Sequence, residues 1–255
     1  LDTTKHKCQH CDREFSKEST LLAHLCEPKR RFNSRGEKPV LLGLQAYIAI
    51  KRSLGQQVAD EWQSFENNSL YRVLVKFGRY CVSSRVIAFP HYVRWLLAPE
   101  QRRLKIDYHW SSDKIYEEFL LAHTRREDAN DAVARATETM QSYSSLANYR
   151  DYFRYLNANL IVQDITAGRV TAWTVLNCAS GHEFVSRLDS KQQEIIYAWI
   201  DPDYWPQRFR DYAATQLKIE HDLQQQGLWQ PASAKTISWC DTIPASTSLT
   251  FPEIL

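Results

Sequence analysis

The chain has 255 residues, 44% of them hydrophobic and 24% charged, which is the balance of a water-soluble globular protein with room for one large domain or two modest ones. Seven glycines against eight tryptophans and thirteen tyrosines favour helices over a turn-rich β architecture. No apolar run approaches the ~20 residues of a membrane span, and no basic-then-apolar leader opens the sequence, so a cytoplasmic protein is expected. The net charge of +2 hides a division: residues 1–108 hold nineteen Lys/Arg against eleven Asp/Glu, and residues 109–255 hold thirteen against nineteen. Charge sorted in this way turns one part of the surface toward an anionic partner.

Of the six cysteines, Cys8, Cys11 and Cys26 cluster at the start, while Cys81, Cys178 and Cys240 stand alone. A Cys-x₂-Cys pair in such a chain points to metal rather than to a disulfide framework. The segment reads C-x₂-C-x₃-F-x₅-L-x₂-H-x-C from Cys8 to Cys26. Two thiolates fit a tight hairpin knuckle, and His24 faces them from a helix that begins at Ser16 or Lys17. Phe15 and Leu21 supply a core too small to hold without metal. Cys26 is the natural fourth ligand, with His10 and His6 as weaker candidates. Its two-residue step from His24 requires the helix to unwind just after the histidine, next to Pro28.

Up to His24 this spacing resembles the C₂H₂ zinc finger at every position, over about twenty residues. The resemblance implies bound Zn²⁺ and a small ββα module. It departs at the fourth ligand, because Pro28, Lys29 and Arg30 stand where a second histidine is expected. Helix positions −1, 3 and 6, which read bases in such fingers, correspond here to Lys17, Thr20 and Ala23. Only Lys17 among them can discriminate a base well, so the module reads as a phosphate-binding or docking element.

Residues 29–39 carry Lys29, Arg30, Arg31, Arg35 and Lys38 and read as a basic linker suited to phosphate, with Gly36 and Pro39 as breakers. Residues 40–227 read as a helical domain. Val40–Leu54 is apolar at helical spacing. Asn68–Cys81 aligns Leu70, Val73, Leu74, Phe77 and Cys81 on one face and Arg72, Lys76 and Arg79 on the other. Pro90 opens a helix to Leu97, and Ser112 caps one running to about Arg125 with Ile115, Tyr116, Phe119 and Leu120 inward. Further helices are expected over Glu127–Ser142, Ser145–Leu156, Val170–Cys178, Glu183–Leu188 and Ser190–Ile200. After a turn at Asp201–Asp203, Pro206 starts a long helix that Gly227 ends. Residues 228–255, rich in Ser, Thr and Pro, read as an extended tail that covers its own domain or docks in a partner's groove. The expected class is mainly α: a small ββα-type finger (1–28), the linker, the helical domain and the tail.

Residues 69–108 interleave Arg72, Lys76, Arg79, Arg85, Arg94, Arg102, Arg103 and Lys105 with Tyr71, Tyr80, His91, Tyr92 and Trp95. Such a block suits nucleic acid, since cations neutralise phosphates and exposed rings stack on bases, although periodicity places Phe77 and Trp95 in the core and so weakens the stacking version. No catalytic residues are assigned. The chain lacks a phosphate-cradling loop and a nucleophile elbow. Cys178, His182 and Glu183 lie too close in sequence to imply a site, with Gly181 read as a helix terminator. The acids Glu117/Glu118, Glu127/Asp128/Asp131 and Asp201/Asp203 read as solvated helix ends, although a Mg²⁺-dependent nuclease would need such groups.

His24–Arg31, Leu42–Tyr47, Lys76–Tyr80 and Ile200–Trp205 resemble segments of zinc-finger proteins of T4-like tailed bacteriophages. That resemblance implies a DNA transaction in the bacterial cytoplasm and assigns no activity. The sequence thus points to non-enzymatic DNA binding or recruitment, with Lys17, Lys29, Arg30, Arg31, Arg35, Arg72, Lys76 and Arg79 on phosphate and Zn²⁺ on Cys8, Cys11, His24 and Cys26. A protein adaptor or virion component that docks a partner through the finger or the tail is the first alternative, and a metal-dependent nuclease the second.

Overall fold

Apolar side chains at a 3.6-residue spacing and few glycines produce helices along nearly the whole chain, and the only sheet among the described residues is one short hairpin. The computed structural model describes residues 5–101 and 103–228. They fall into two units divided after Tyr116, and the finger belongs to one unit with the helices that follow it. No helix among the described residues is long and apolar enough to cross a membrane.

In the first unit β1 (His6–Lys7) pairs antiparallel with β2 (Glu14–Phe15), His6 opposite Phe15. The short helices α1 (Glu18–Ala23) and α2 (Glu27–Asn33) follow. Then come α3 (Lys38–Ser53), α4 (Glu61–Glu66), α5 (Tyr71–Ser83) and α6 (Phe89–Leu96). Helix α7 (Asp113–Thr124) spans the division. The segment expected as a linker is therefore largely helical. Pro28 occupies the first turn of α2, where its missing N–H costs nothing, and the break falls at Ser34–Glu37 instead.

Helices α3 and α5 run antiparallel at close quarters. Gly43 lies against the Leu74 carbonyl and Gly78 against the Pro39 carbonyl, and a Cβ on Gly78 would stand 2.0 Å from that oxygen. Around the pair, Tyr47, Phe65, Tyr71, Phe77, Tyr92 and Trp110 are buried and meet ring to ring, Phe77 touching both Tyr92 and Trp110. Alanine at an ordinary helix-interior glycine gains ~1 kcal/mol in propensity. At Gly78 the contact is with backbone, which cannot rotate away. Gly78→Ala is therefore expected to destabilise by roughly 1–3 kcal/mol, read as a lowered urea midpoint; a midpoint unchanged or raised would mean that the two helices separate freely.

The second unit holds α8 (Ala129–Gln141), α9 (Tyr152–Tyr155), α10 (Ala158–Thr166), α11 (Ala172–Val175), α12 (Ala179–Ser186), α13 (Ser190–Ile200), α14 (Tyr204–Asp211) and α15 (Ala213–Gln225). Trp173 packs on Trp205 and Phe209, and Phe153 on Phe184. Several expectations change here. The helix expected over 145–156 shrinks to a 3₁₀ turn and α9, and α10 was not anticipated. The long helix after Pro206 breaks at Tyr212 (φ −120°, ψ 39°). Gly181 lies inside α12, where a Cβ would stand 2.1 Å from the Val175 carbonyl; it is a packing glycine, not a terminator. Glu127 is no solvated helix end, since its side chain is 4% exposed and paired with Arg135 at 2.7 Å. The tail from Trp229 onward lies outside the described residues.

Candidate metal centre and basic surface

The hairpin turns sharply because Asp12 takes a left-handed conformation (φ 59°), with the Cys8 amide donating to the Arg13 carbonyl and the Asp12 amide to the Cys8 carbonyl, both at 2.9 Å. That knuckle points Cys8 and Cys11 to one side. Helix α1 stops at Ala23 and His24 is already extended (φ −69°, ψ 122°), so the chain unwinds at the histidine rather than just after it. Cys26 caps α2, and the two-residue step between ligands spans the gap between two helices. The Phe15 ring lies 4.7 Å from that of His24 and fixes its plane.

Cys8, Cys11, His24 and Cys26 bring one ligand atom each within 4.8 Å of all the others. Cys8 Sγ and Cys26 Sγ are 3.9 Å apart, and Cys11 Sγ is 3.2 Å from His24 Nε2. In a tetrahedron with ~2.3 Å metal–sulfur and ~2.0 Å metal–nitrogen bonds the corresponding edges are about 3.8 and 3.5 Å. The donors fit a four-coordinate ion, and three thiols with one imidazole suit soft or borderline metals rather than Ca²⁺ or Mg²⁺. The electrostatics agree. The His10 amide holds the Cys8 thiol below its ordinary range despite burial. At Cys11 the Arg13 amide favours the thiolate, but burial and the neighbouring Cys26 and Cys8 sulfurs outweigh it and raise the thiol. Three thiolates this close call for a cation. All four expected ligands are thus together, and His6 and His10 are not among them; the His10 ring instead lies 5.0 Å from Phe32 of α2.

The expected phosphate contacts separate into two groups. Arg35 forms a two-pronged pair with Glu66, Nε to Oε1 at 2.7 Å and Nη2 to Oε2 at 2.8 Å. Arg31 donates to the Glu66 carbonyl, pairs with Glu27 at 3.2 Å and covers the Tyr71 ring. These two guanidiniums bind α2 and the turn that follows it to α4 and α5. Lys29 donates to the His24 carbonyl at 3.2 Å. Lys17, Arg30, Arg72, Lys76 and Arg79 are exposed. Arg72, 79% exposed, also approaches Glu27 at 3.7 Å, which places the head of α5 beside the finger's second helix. Lys76 and Arg79 have no ionic partner among the described residues, and α5 carries no acidic residue.

The aromatic part of the expected block is mostly interior. Tyr71 and Tyr92 are core, Tyr80 donates to Asp113 at 3.0 Å, and Trp95 is half-buried against Tyr92. Arg102 lies outside the described residues. Elsewhere, Cys178 is buried and its thiol is pushed up to about 12, with the His182 ring on the Leu176 carbonyl at 2.9 Å. Asp128 caps α8 and Asp201 pairs with Arg125 at 2.9 Å. No known protein family, characterised protein or solved structure matches the chain, and the expected likeness to phage zinc-finger proteins gains no support from them.

Proposed function

We propose that this protein binds DNA without catalysing a reaction, through the basic face of α5 continued by α2 and the finger, and that the Cys8–Cys11–His24–Cys26 site holds Zn²⁺ as a structural staple. The row Arg72, Lys76 and Arg79, exposed at i, i+4 and i+7 with no acid on the same helix, carries the reading. Along the helix the row spans ~10.5 Å, long enough to follow successive phosphates. Arg30 on α2 and Lys17 just before α1 extend the positive surface, whereas Arg31 and Arg35 set the orientation of α2 and are left out of the contact set. Zinc is chosen because it is redox-inert and takes mixed Cys/His donors in a tetrahedron.

Anisotropy titrations of labelled single-stranded, duplex and forked DNA at several salt concentrations test this. Each phosphate contact contributes ~0.7–0.9 to the slope of log K against log salt. The Arg72→Ala/Lys76→Ala/Arg79→Ala chain is expected to lose roughly two to three units of that slope. Equal binding by both chains would sink the reading. A second reading, a protein adaptor, is favoured by one observation: Leu22 and Leu25 of the finger are 73% and 52% exposed. It requires salt-insensitive binding of a protein partner that a Leu22→Asp/Leu25→Asp chain abolishes.

A further inference from the structure

The α3–α4 corner carries a feature that the basic face does not use. An open groove of about 530 Å³ is lined by Gln56, Gln57, Val58, Ala59, Gln63 and Asn67, with Lys51, Asp60, Ser64 and Asn68 completing its walls. That volume lies within the range of small-molecule sites, but the lining is unusual in being built from carboxamides. Five of the polar side chains are already engaged. The Asp60 carboxylate accepts from the Gln63 amide at 2.8 Å and caps α4. Lys51 donates to the Gln56 side chain at 2.9 Å. Asn68 accepts from the Leu70 amide, and Ser64 shares a hydrogen bond with the Tyr47 hydroxyl. The side-chain carboxamides of Gln57, Gln63 and Asn67 have no partner among the described residues.

Three free carboxamides offer paired donors and acceptors, and Val58 and Ala59 offer an apolar contact. The one carboxylate and the one ammonium cancel, so the groove favours a neutral ligand rich in hydrogen bonds over a phosphate. A nucleobase has that character, and a side-chain amide matches the adjacent N6 donor and N7 acceptor of adenine. Position adds to the chemistry. Because α3 and α5 run antiparallel, with Gly43 on Leu74 and Gly78 on Pro39, the Lys51 end of α3 lies beside the start of α5. The groove thus sits at the end of the helix pair where Arg72 begins the basic row, with Asn67 five residues before Arg72.

We infer that the groove receives an unpaired base, adenine foremost, of a strand whose phosphates lie along Arg72, Lys76 and Arg79, so that the nucleic acid bound is single-stranded. This rests on the proposed DNA reading for the strand, but base recognition can be tested apart from it. Adenosine carries no phosphate. Titrated into the full zinc-loaded chain, it is expected to shift the side-chain NH₂ resonances of Gln57, Gln63 and Asn67 saturably, while ribose leaves them in place. Resonances unmoved by adenosine, or moved equally by ribose, would overturn the inference whatever the basic row does. With oligonucleotides, the dA·dT duplex is expected to bind more weakly than the strand, and a twelve-residue dA strand roughly tenfold tighter than a dT strand of equal length, the discrimination of one amide–base pair. The Gln57→Ala/Gln63→Ala/Asn67→Ala chain should lose that ratio and keep the salt slope. A variant that retains the preference would overturn the groove and leave the basic face standing. A chain that shifts with adenosine yet binds no strand would overturn the DNA reading alone.

Discussion

On the proposed zinc assignment, the natural chain is expected to take up one equivalent of zinc and the Cys11→Ser chain to hold none tightly. The variant should also lose amide dispersion over residues 5–26 while the remaining helices stay folded. The finger buries almost nothing of its own: α1 and α2 have no buried residue, and Phe15 and Leu21 are only half-covered. Structural zinc in such modules supplies an apparent ~10–16 kcal/mol at neutral pH, far more than that core can provide. The helices from α3 onward have their own support in Tyr47, Phe65 and Phe77, each at most 1% exposed, so the loss should remain local. Ligation requires deprotonated thiols, so zinc should also leave as the pH falls. A zinc-titration endpoint and an amide spectrum measured on both chains decide the matter. Undiminished zinc affinity in Cys11→Ser would remove Cys11 from the ligand set.

Asp164→Ala is expected to cost about 3–5 kcal/mol, the usual penalty for breaking a buried charged cluster. Asp164 is 1% exposed. Its Oδ2 accepts from the Tyr143 and Tyr152 hydroxyls, both at 2.7 Å, and its Oδ1 from Arg169 at 3.1 Å. Burial, and then the adjacent carboxylate, raise the Tyr152 phenol far above its ordinary range, so it stays a donor at every physiological pH. Removing the carboxylate takes away the acceptor of the buried Tyr152 hydroxyl and one acceptor used by Tyr143 and Arg169, and a buried donor so deprived is costly. Urea denaturation followed by tryptophan fluorescence reads the change, since Trp173 and Trp205 lie in the same unit. A loss below ~1 kcal/mol would mean that water or a rearranged Arg169 replaces the carboxylate. Asp164→Asn should fall between, keeping shape and one acceptor but not the charge that faces Arg169.

Both expectations turn on how far apart in sequence the interacting groups lie. The quartet Cys8, Cys11, His24 and Cys26 spans nineteen residues, and hairpin and helix geometry brings such a span together without help from the rest of the chain. Its members were therefore legible from spacing, fourth ligand included. The faces of α5 were legible too, because Leu74, Phe77 and Cys81 against Arg72, Lys76 and Arg79 is a property of one helix. The fate of Arg31 and Arg35 was not. Their polarity and the nearby Gly36 read as a linker, and only Glu66, more than thirty residues on, turns them into anchors. Tyr71 and Tyr92 misled for the same reason: amphipathic rings look alike in sequence whether they face solvent or core. The break at Tyr212 has neither Gly nor Pro to announce it.

The candidate metal quartet, the helical class and the side of α5 that carries charge were all readable before folding, since each follows from spacing along one or two neighbouring elements. The tertiary structure alone decided which cations remain available and which are consumed in pairing. It likewise decided that Gly78 and Gly181 are contact points, that Glu127 and Asp164 are buried with partners, and that carboxamides from three successive segments line one groove. Those outcomes depend on which distant groups the folded chain brings within a few ångströms, and local propensity and periodicity carry no record of that.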